Sequence, residues 1–395
     1  MSFAFKAAFI KPINLPTYSR KGCADIRYKE VAHDKVQSRF QGRRQLVPTP
    51  SLSNYRTSAA IDWVSIHVVI RRVTHVSKMR RTLEYAIGEK LYVESVNKDA
   101  GHRDDAWLVK FHDPQRWRVE RAVAAVEAEF GLAQEPTVDG LEVAVDFYPR
   151  CRTEVARRRM VGILQRHLLV PEEYASHPRG LPRMLVSRGG SGVIWLHPDG
   201  AFFNDERKRD PRTNVMYTDR TLQIGEKGVG VGWRVMDKTT DRRTEFGHQD
   251  LPIDQRRARV EVTLNEDALR NLDIHTLEDL QGFAFEKLRA FYFSFAIPTV
   301  ATGEERARQI ESGIVALARD ELNARYRQRF YDLGVMGLRE WEKSQYETLR
   351  RCRGRIGMPT SCGASPLSKP GKTGHLIQYT DLNERVRGAL RNLHW

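Results

Sequence analysis

Thr221–Lys238 reads TLQIGEKGVGVGWRVMDK, and a little further on Arg259–Leu264 reads RVEVTL. Both stretches carry apolar residues at every second position, the period of a strand with one face buried. The glycines between Gly225 and Gly232 turn the first stretch into a hairpin, 221–225 against 233–238, and 257–264 is a further strand. Alternation then sorts the side chains. Arg234, Met236 and Lys238 share one face, with Trp233, Val235 and Asp237 on the other. In the following strand Arg259, Glu261 and Thr263 lie opposite Ala258, Val260, Val262 and Leu264.

The same pattern extends outward. Leu141–Tyr148 (LEVAVDFY) alternates strictly, with Glu142, Ala144 and Asp146 facing away from Leu141, Val143, Val145 and Phe147. Ile61–Ile70 is rich in β-branched and aromatic residues and predicts a strand. Short strands are expected at Met184–Ser187 and Val193–His197. Asp113-Pro114 supplies an N-cap and a first-turn proline for a helix carrying Val119, Val123, Val126 and Phe130. Thr153 starts another that runs to about Leu169. Thr276 with Asp279 opens a helix carrying Leu277, Leu280, Ala284, Leu288 and Phe291. Thr302 with Glu305 makes a capping box before Ile310, Ile314, Leu317 and Leu322, and a third helix is expected from Leu338 to about Arg351.

The expected fold is α+β: a largely antiparallel central sheet with flanking helices, followed by a C-terminal helical region. Four segments result: a basic, loosely structured N-terminal arm over 1–58, an α+β domain over 59–272, a helical region over 273–355, and a flexible linker and tail over 356–395. The helical region is open to duplex recognition, dimerisation, or simply covering the sheet. No internal repeat is visible.

With 395 residues and 41% hydrophobic content, the chain can bury a sizeable core. No apolar run reaches the roughly 18 residues of a membrane span. Lys6 interrupts the short apolar start and no cleavage pattern follows, so a cytoplasmic protein is expected. Cys23, Cys151, Cys352 and Cys362 lie too far apart in sequence for a zinc site and are read as free thiols. The net charge is +15, with +8 of it from Met1 to Ala60 and a further +4 from Arg319 to Arg355. Such concentration of positive charge points to a polyanion, since neutralised phosphates release their counterions.

The sheet face opposite the core would carry Glu142, Asp146, Arg259 and Glu261, joined by Arg234 and Lys238. Residues four apart on a strand lie roughly 13 Å apart, so Glu142 and Asp146 cannot clasp one ion by themselves. A metal site needs one of them plus Glu261 or another ligand from a neighbouring strand, and oxygen ligands of this kind suit Mg²⁺ or Mn²⁺. The alternative is a solvated face with cross-strand ion pairs. No two histidines stand at a His-x-His spacing, and His67 and His112 read as structural. Gly371-Lys372-Thr373 invites a phosphate-loop reading, but Pro366 occupies the position of its first glycine and no strand precedes it.

The succession IDWVSIHV, LEVAVDF, TLQIG…GWRVMDK and RVEVTL, over Ile61–Leu264, resembles the replication initiation proteins of rolling-circle plasmids and filamentous phages. That group in turn resembles the relaxases of some conjugative elements. The resemblance implies an origin-binding protein that makes a metal-dependent nick. A tyrosine attacks the phosphodiester, forming a 5′-phosphotyrosyl link and freeing a 3′-OH, with Mg²⁺ or Mn²⁺ as the cofactor.

Carried over by position, Glu142, Asp146 and Glu261 form the acidic cluster, Arg234 and Lys238 the phosphate-side cations, and Arg259 orients Glu261. The implied partner is origin DNA, single-stranded or hairpin. A host helicase and a second copy of the chain are further partners this reading leaves open. Three positions depart from the pattern: its tyrosines are replaced by Met236 and Gln223, and Glu142 stands where it has an aspartate, a change that keeps carboxylate ligation with a longer reach. A thioether cannot form the phosphoester. Either Tyr217 or Tyr148 serves, or the chain binds origins without cutting, or it cuts as a metal-dependent nuclease with no covalent intermediate.

Overall fold

The computed structural model describes residues 26–32, 40, 43–97, 102–175, 182–185, 193–195, 216, 218–226, 229–244, 247–301, 324–343 and 375–395. Strands β1 (Tyr28–Val31), β2 (Arg43–Pro48) and β3 (Tyr55–His75) lead to helix α1 (Val76–Ile87) and strands β4 (Tyr92–Ser95) and β5 (Arg103–His112). Helix α2 (Arg116–Phe130), strand β6 (Thr137–Pro149), helices α3 (Glu154–His167) and α4 (Glu172–Ala175), and strands β7 (Arg183–Leu185) and β8 (Val193–Trp195) follow. Next come β9 (Thr221–Glu226), β10 (Val229–Lys238), β11 (Thr240–Thr244), β12 (Gly247–Asp250) and β13 (Arg257–Asn265). Beyond them lie α5 (Glu266–Arg270), α6 (Leu277–Gly282), α7 (Leu288–Phe291), β14 (Ala296–Ala301), helix α8 over 324–343, β15 (Leu376–Gln378) and α9 (Thr380–Arg391).

The architecture is α+β. Nine strands form an antiparallel sheet in the order β4-β5-β3-β6-β13-β10-β9-β7-β8. Val143, Val145, Trp233, Val235, Val260 and Val262 are buried on one face, as their alternation requires. Helix α3 packs against β6, β10 and β13, with Met160, Ile163 and Leu164 buried. Fully burying each such aliphatic side chain is worth about 1.5–3 kcal/mol. Thr153 caps α3 by accepting from Ala156 N. From α3, Arg157 pairs with Asp237, the polar end of the apolar stripe on β10.

A second sheet, in the order β1-β2-β14-β15, departs from the sequence-based expectation. Residues 28–31 and 43–48 of the expected loose arm are paired strands, and Ile26, Tyr28, Phe40 and Leu46 are buried. Ile26 lies against Gly162 of α3 so closely that a Cβ there would come within 2.1 Å of Ile26 Cδ1. Residues 375–395 of the expected tail are built into the fold as well: β15 pairs with β14, and α9 buries Leu382, Val386 and Leu390. One contiguous core takes in residues from every segment of the chain.

Smaller corrections follow the same theme. The strand expected at 61–70 runs from Tyr55 to His75. Helix α2 begins after Gln115, which makes no side-chain capping bond, and Asp113 takes a positive φ of 43° in the turn before it. The Thr276/Asp279 capping box forms, but its helix stops at Gly282, and Ala296–Ala301 is a strand within the expected helical region. The third helix is already helical at 324. Thr302, Glu305 and Ile310–Leu322 lie outside the described residues. No described helix is long and apolar enough to cross a membrane.

Candidate functional site

The polar face of the sheet converges on β13. Glu261 stands opposite Ala144 of β6 on one side and Arg234 of β10 on the other. Thr263 stands opposite Glu142, and Arg259 opposite Asp146 and Met236. Glu142 and Glu261 are therefore brought together, and a third carboxylate joins them from β3. One oxygen each of Asp62, Glu142 and Glu261 lies within 4.8 Å of the other two.

Asp62 reaches this face through a bulge. Ile61 pairs with Val143 and Trp63 with Glu142, so Asp62 is the residue by which β3 outnumbers β6. An extra residue of this kind puts two consecutive side chains on one face and re-aims both. The sequence carries the signal: apolar residues at Ile61 and then Val64, Ile66, Val68 and Ile70 change phase at Asp62-Trp63.

Two arginines organise the acids. Arg234 Nη2 donates to both oxygens of Glu142 at 2.8 Å and lies 2.7 Å from Glu261 Oε2. Arg259 clasps Asp146 with Nε and Nη2 at 2.6 and 2.8 Å, while its Nη1 reaches Asp62 at 2.7 Å and Glu261 at 3.3 Å. Thr263 Oγ1 donates to Glu142 Oε2 at 2.6 Å.

Burial pushes the Glu261 carboxyl above its usual range; Arg234 and Arg259 pull it back, while Glu142 and Asp62 add to the rise. Burial also acts against the Asp62 carboxylate, yet Arg259 and Lys238 outweigh it and the pKa falls. Arg234 is desolvated, but Glu261 and Glu142 hold its proton more firmly than usual.

Asp146 stays outside the trio: its oxygens are taken up by Arg259 and by Arg257, the latter at 3.0 Å. Lys238 lies beside Asp62 and 3.6 Å from Asp241. Tyr148 shares the face, flanked by Arg56 at 4.3 Å and Arg257 at 5.7 Å from its ring centre. Burial and the neighbouring Asp146 raise its phenol pKa, the opposite of what a nucleophile needs. Tyr217 lies outside the described residues. Met236 sits half-buried between Arg234 and Lys238 on the site face. Sequence reasoning did not single out Asp62, Trp63 or Arg257.

The donor set fits a hard divalent cation. Three carboxylate oxygens drawn from three strands, all within 4.8 Å of one another, are the hard ligands that Mg²⁺ and Mn²⁺ take. Glu261 Oε2 is buried and accepts no well-directed hydrogen bond, since Arg234 approaches it off-axis. Arg234, with 38% of its side chain exposed, is the group that would give way.

No family model matches the chain, and no curated protein matches it. Among solved structures, it is similar to a rolling circle replication initiator protein from Geobacillus stearothermophilus. The identity is 13% over 55% of this chain and 77% of that one, with a TM-score of 0.27.

Proposed function

We propose that this chain is a DNA-binding replication initiation protein that recognises the origin of a rolling-circle plasmid, phage or integrative element and nicks it. The observation that carries the reading is the meeting of Asp62, Glu142 and Glu261 beside Arg234 on one sheet face. The order of the four strand motifs supports it, as does the positive charge.

Asp62, Glu142 and Glu261 would hold Mg²⁺ or Mn²⁺, which when bound polarises a phosphoryl oxygen. Arg259 is a positioning residue: fixed by Asp146, it holds Asp62 and Glu261 in place. Arg234 is free to exchange its carboxylate partners for a phosphate oxygen, where it offsets developing negative charge. Lys238 adds a second cation on the same strand face. In the covalent route a tyrosine oxygen bonds to phosphorus, the P–O3′ bond breaks, and the departing oxygen takes a proton. The products are a 5′-phosphotyrosyl link and a 3′-OH. Tyr148 and Tyr217 are the candidate nucleophiles.

The test incubates the full chain with single-stranded DNA tiled across its candidate origin, with Mg²⁺, Mn²⁺ or chelator. A metal-dependent nick with a covalent adduct is expected. Loss of the adduct in Tyr148→Phe or Tyr217→Phe, with Met236→Ala unaffected, identifies the nucleophile. Nicking that survives in both tyrosine variants rules out both candidates, and nicking with no covalent adduct transfers the reaction to water, as in a nuclease without a covalent intermediate.

A second reading, a non-catalytic origin binder or regulator, draws on the arginines that already pair the acids and on Met236. It requires salt-sensitive DNA binding indifferent to chelator and to Glu261→Gln, with no nick under any metal.

A further inference from the structure

Beside the carboxylates the polar face of the sheet carries an aromatic ring that the core does not use. Trp63 stands directly opposite Glu142 on β6 and His112 on β5, next to the bulged Asp62. Trp107 and Trp233 are wholly buried, whereas Trp63 keeps part of its surface in solvent. Its ring lies on Gly140, where a Cβ would come within 3.0 Å of Trp63 Cζ3. The site of the ring thus depends on a residue without a side chain. Lys110 on β5 caps the ring, its Nζ 3.2 Å from the ring centre. Next along, Tyr92 on the edge strand β4 pairs with Lys110 and is 55% exposed. Cross-strand partners share a face, so Tyr92, Lys110 and Trp63 form a row leading to Asp62 and Glu142.

The geometry points to a single-stranded DNA track along this row, with one nucleobase stacked on Trp63 beside the carboxylates. This deepens the proposed function and rests on it. A flexible ammonium over an indole face is an exchangeable cap: a phosphate oxygen competes for Lys110 with its present neighbours, the Asp139 carboxylate among them, and the vacated π-face offers a base the stack that single-strand binders use. The row supplies both components of such binding, Lys110 for the backbone and the Trp63 and Tyr92 rings for the bases. It also explains why an indole should sit half-exposed on the polar side of the sheet, one position from a carboxylate.

The experiment uses the full chain in chelator, so that no cleavage intervenes, with oligothymidylate carrying a single 2-aminopurine as the probe. Binding should quench the 2-aminopurine. Trp63→Leu should bind about tenfold more weakly and lose the quenching, within the range expected for removing one base–aromatic stack. Trp63→Tyr should restore most of both. Lys110→Gln should keep the quenching but flatten the salt dependence by about 0.7, one phosphate contact on a single strand. Wild-type affinity and quenching in Trp63→Leu would overturn the inference, as would an unchanged salt slope in Lys110→Gln or a duplex that competes as well as the single strand. A wild-type chain that binds no DNA removes the functional reading and this inference with it. DNA binding that ignores Trp63 removes the inference alone.

Discussion

On the polar face of the large sheet, Arg259 is buried between three carboxylates, those of Asp146, Asp62 and Glu261. In α3, Arg166 is buried as deeply but donates to the main-chain carbonyls of Tyr331 and Gly162, and its Nη2 has no acceptor among the described residues. Burial lowers the Arg166 pKa by more than Tyr28 and Asp332 raise it, whereas the carboxylates around Arg259 overcome burial and raise its pKa. The contrast separates two uses of buried charge. Carbonyl partners fix a cation in place and offer it nothing to exchange. Carboxylate partners form a set of charges that can be redistributed when a metal ion or a phosphate arrives, which is the behaviour phosphodiester chemistry asks for.

The sharpest test of this contrast is Glu261→Gln. Cleavage of origin DNA should fall by more than the ~100-fold that loss of a group supporting a metal ligand typically costs, and Mn²⁺ binding followed by electron paramagnetic resonance should weaken in parallel. A variant that still binds Mn²⁺ as the wild type does would place the ion elsewhere. Next in size is Arg259→Met, which leaves Asp146 and its neighbours without their guanidinium. Urea unfolding should show a loss of about 3–5 kcal/mol, as expected when one partner of a buried pair is removed. A loss below 1 kcal/mol would mean that the acids find other partners or protonate at little cost.

The α3 cluster makes a prediction of its own. His167 adjoins Arg166, is wholly buried, and burial brings its pKa down to about 4; its Nδ1 lies 2.7 Å from Ala296 O. The unfolded chain takes up this proton near pH 6.5 and the folded chain only near pH 4. The neutral histidine therefore contributes stability above pH 6.5 that is lost as the pH falls toward 4, by about 3 kcal/mol in all. His167→Gln should flatten this part of the pH–stability curve. An equally steep curve in the variant would assign the acid sensitivity to other groups. The smallest effect is expected for Arg234→Gln, which removes the cation that competes with a metal. Mn²⁺ affinity should rise several-fold while affinity for DNA falls, and a drop in both would make Arg234 a support of the site instead of an exchangeable partner.

The two regions also differ in how far the sequence reveals them. β6, β10 and β13 each bury one face, so strict alternation announces them and sorts Glu142, Arg234, Arg259 and Glu261 onto the other. Alternation says which residues share a face but not which rung they occupy. The register that seats Glu261 beside Arg234 is set across the chain from β10 to β13, and the one that seats Asp146 against Arg259 across 113 residues. Asp62 was legible only as a break in phase. The second sheet was harder still. β1, β2, β14 and β15 are short strands drawn from opposite ends of the chain, and β1 and β15 span only four and three residues. Basic composition around β1 and β2, and the glycine, serine and proline before β15, obscure so few alternating positions. α9 shows the same problem: Leu382, Val386 and Leu390 have helical spacing, but they follow a stretch whose composition reads as linker.

The bulge at Asp62 makes β3 sensitive to length as well as to composition. Substitutions at Ala59 or Ala60 change one side chain, whereas deleting either residue would allow Asp62 to slip into the vacated pairing position and straighten the strand. Asp62 and Trp63 would then point to opposite sides, and the carboxylate trio and the aromatic row would be broken by one event. Chain length between Tyr55 and Ile61 thus itself sets the geometry of this face, in a way that a comparison of residue types alone would not detect.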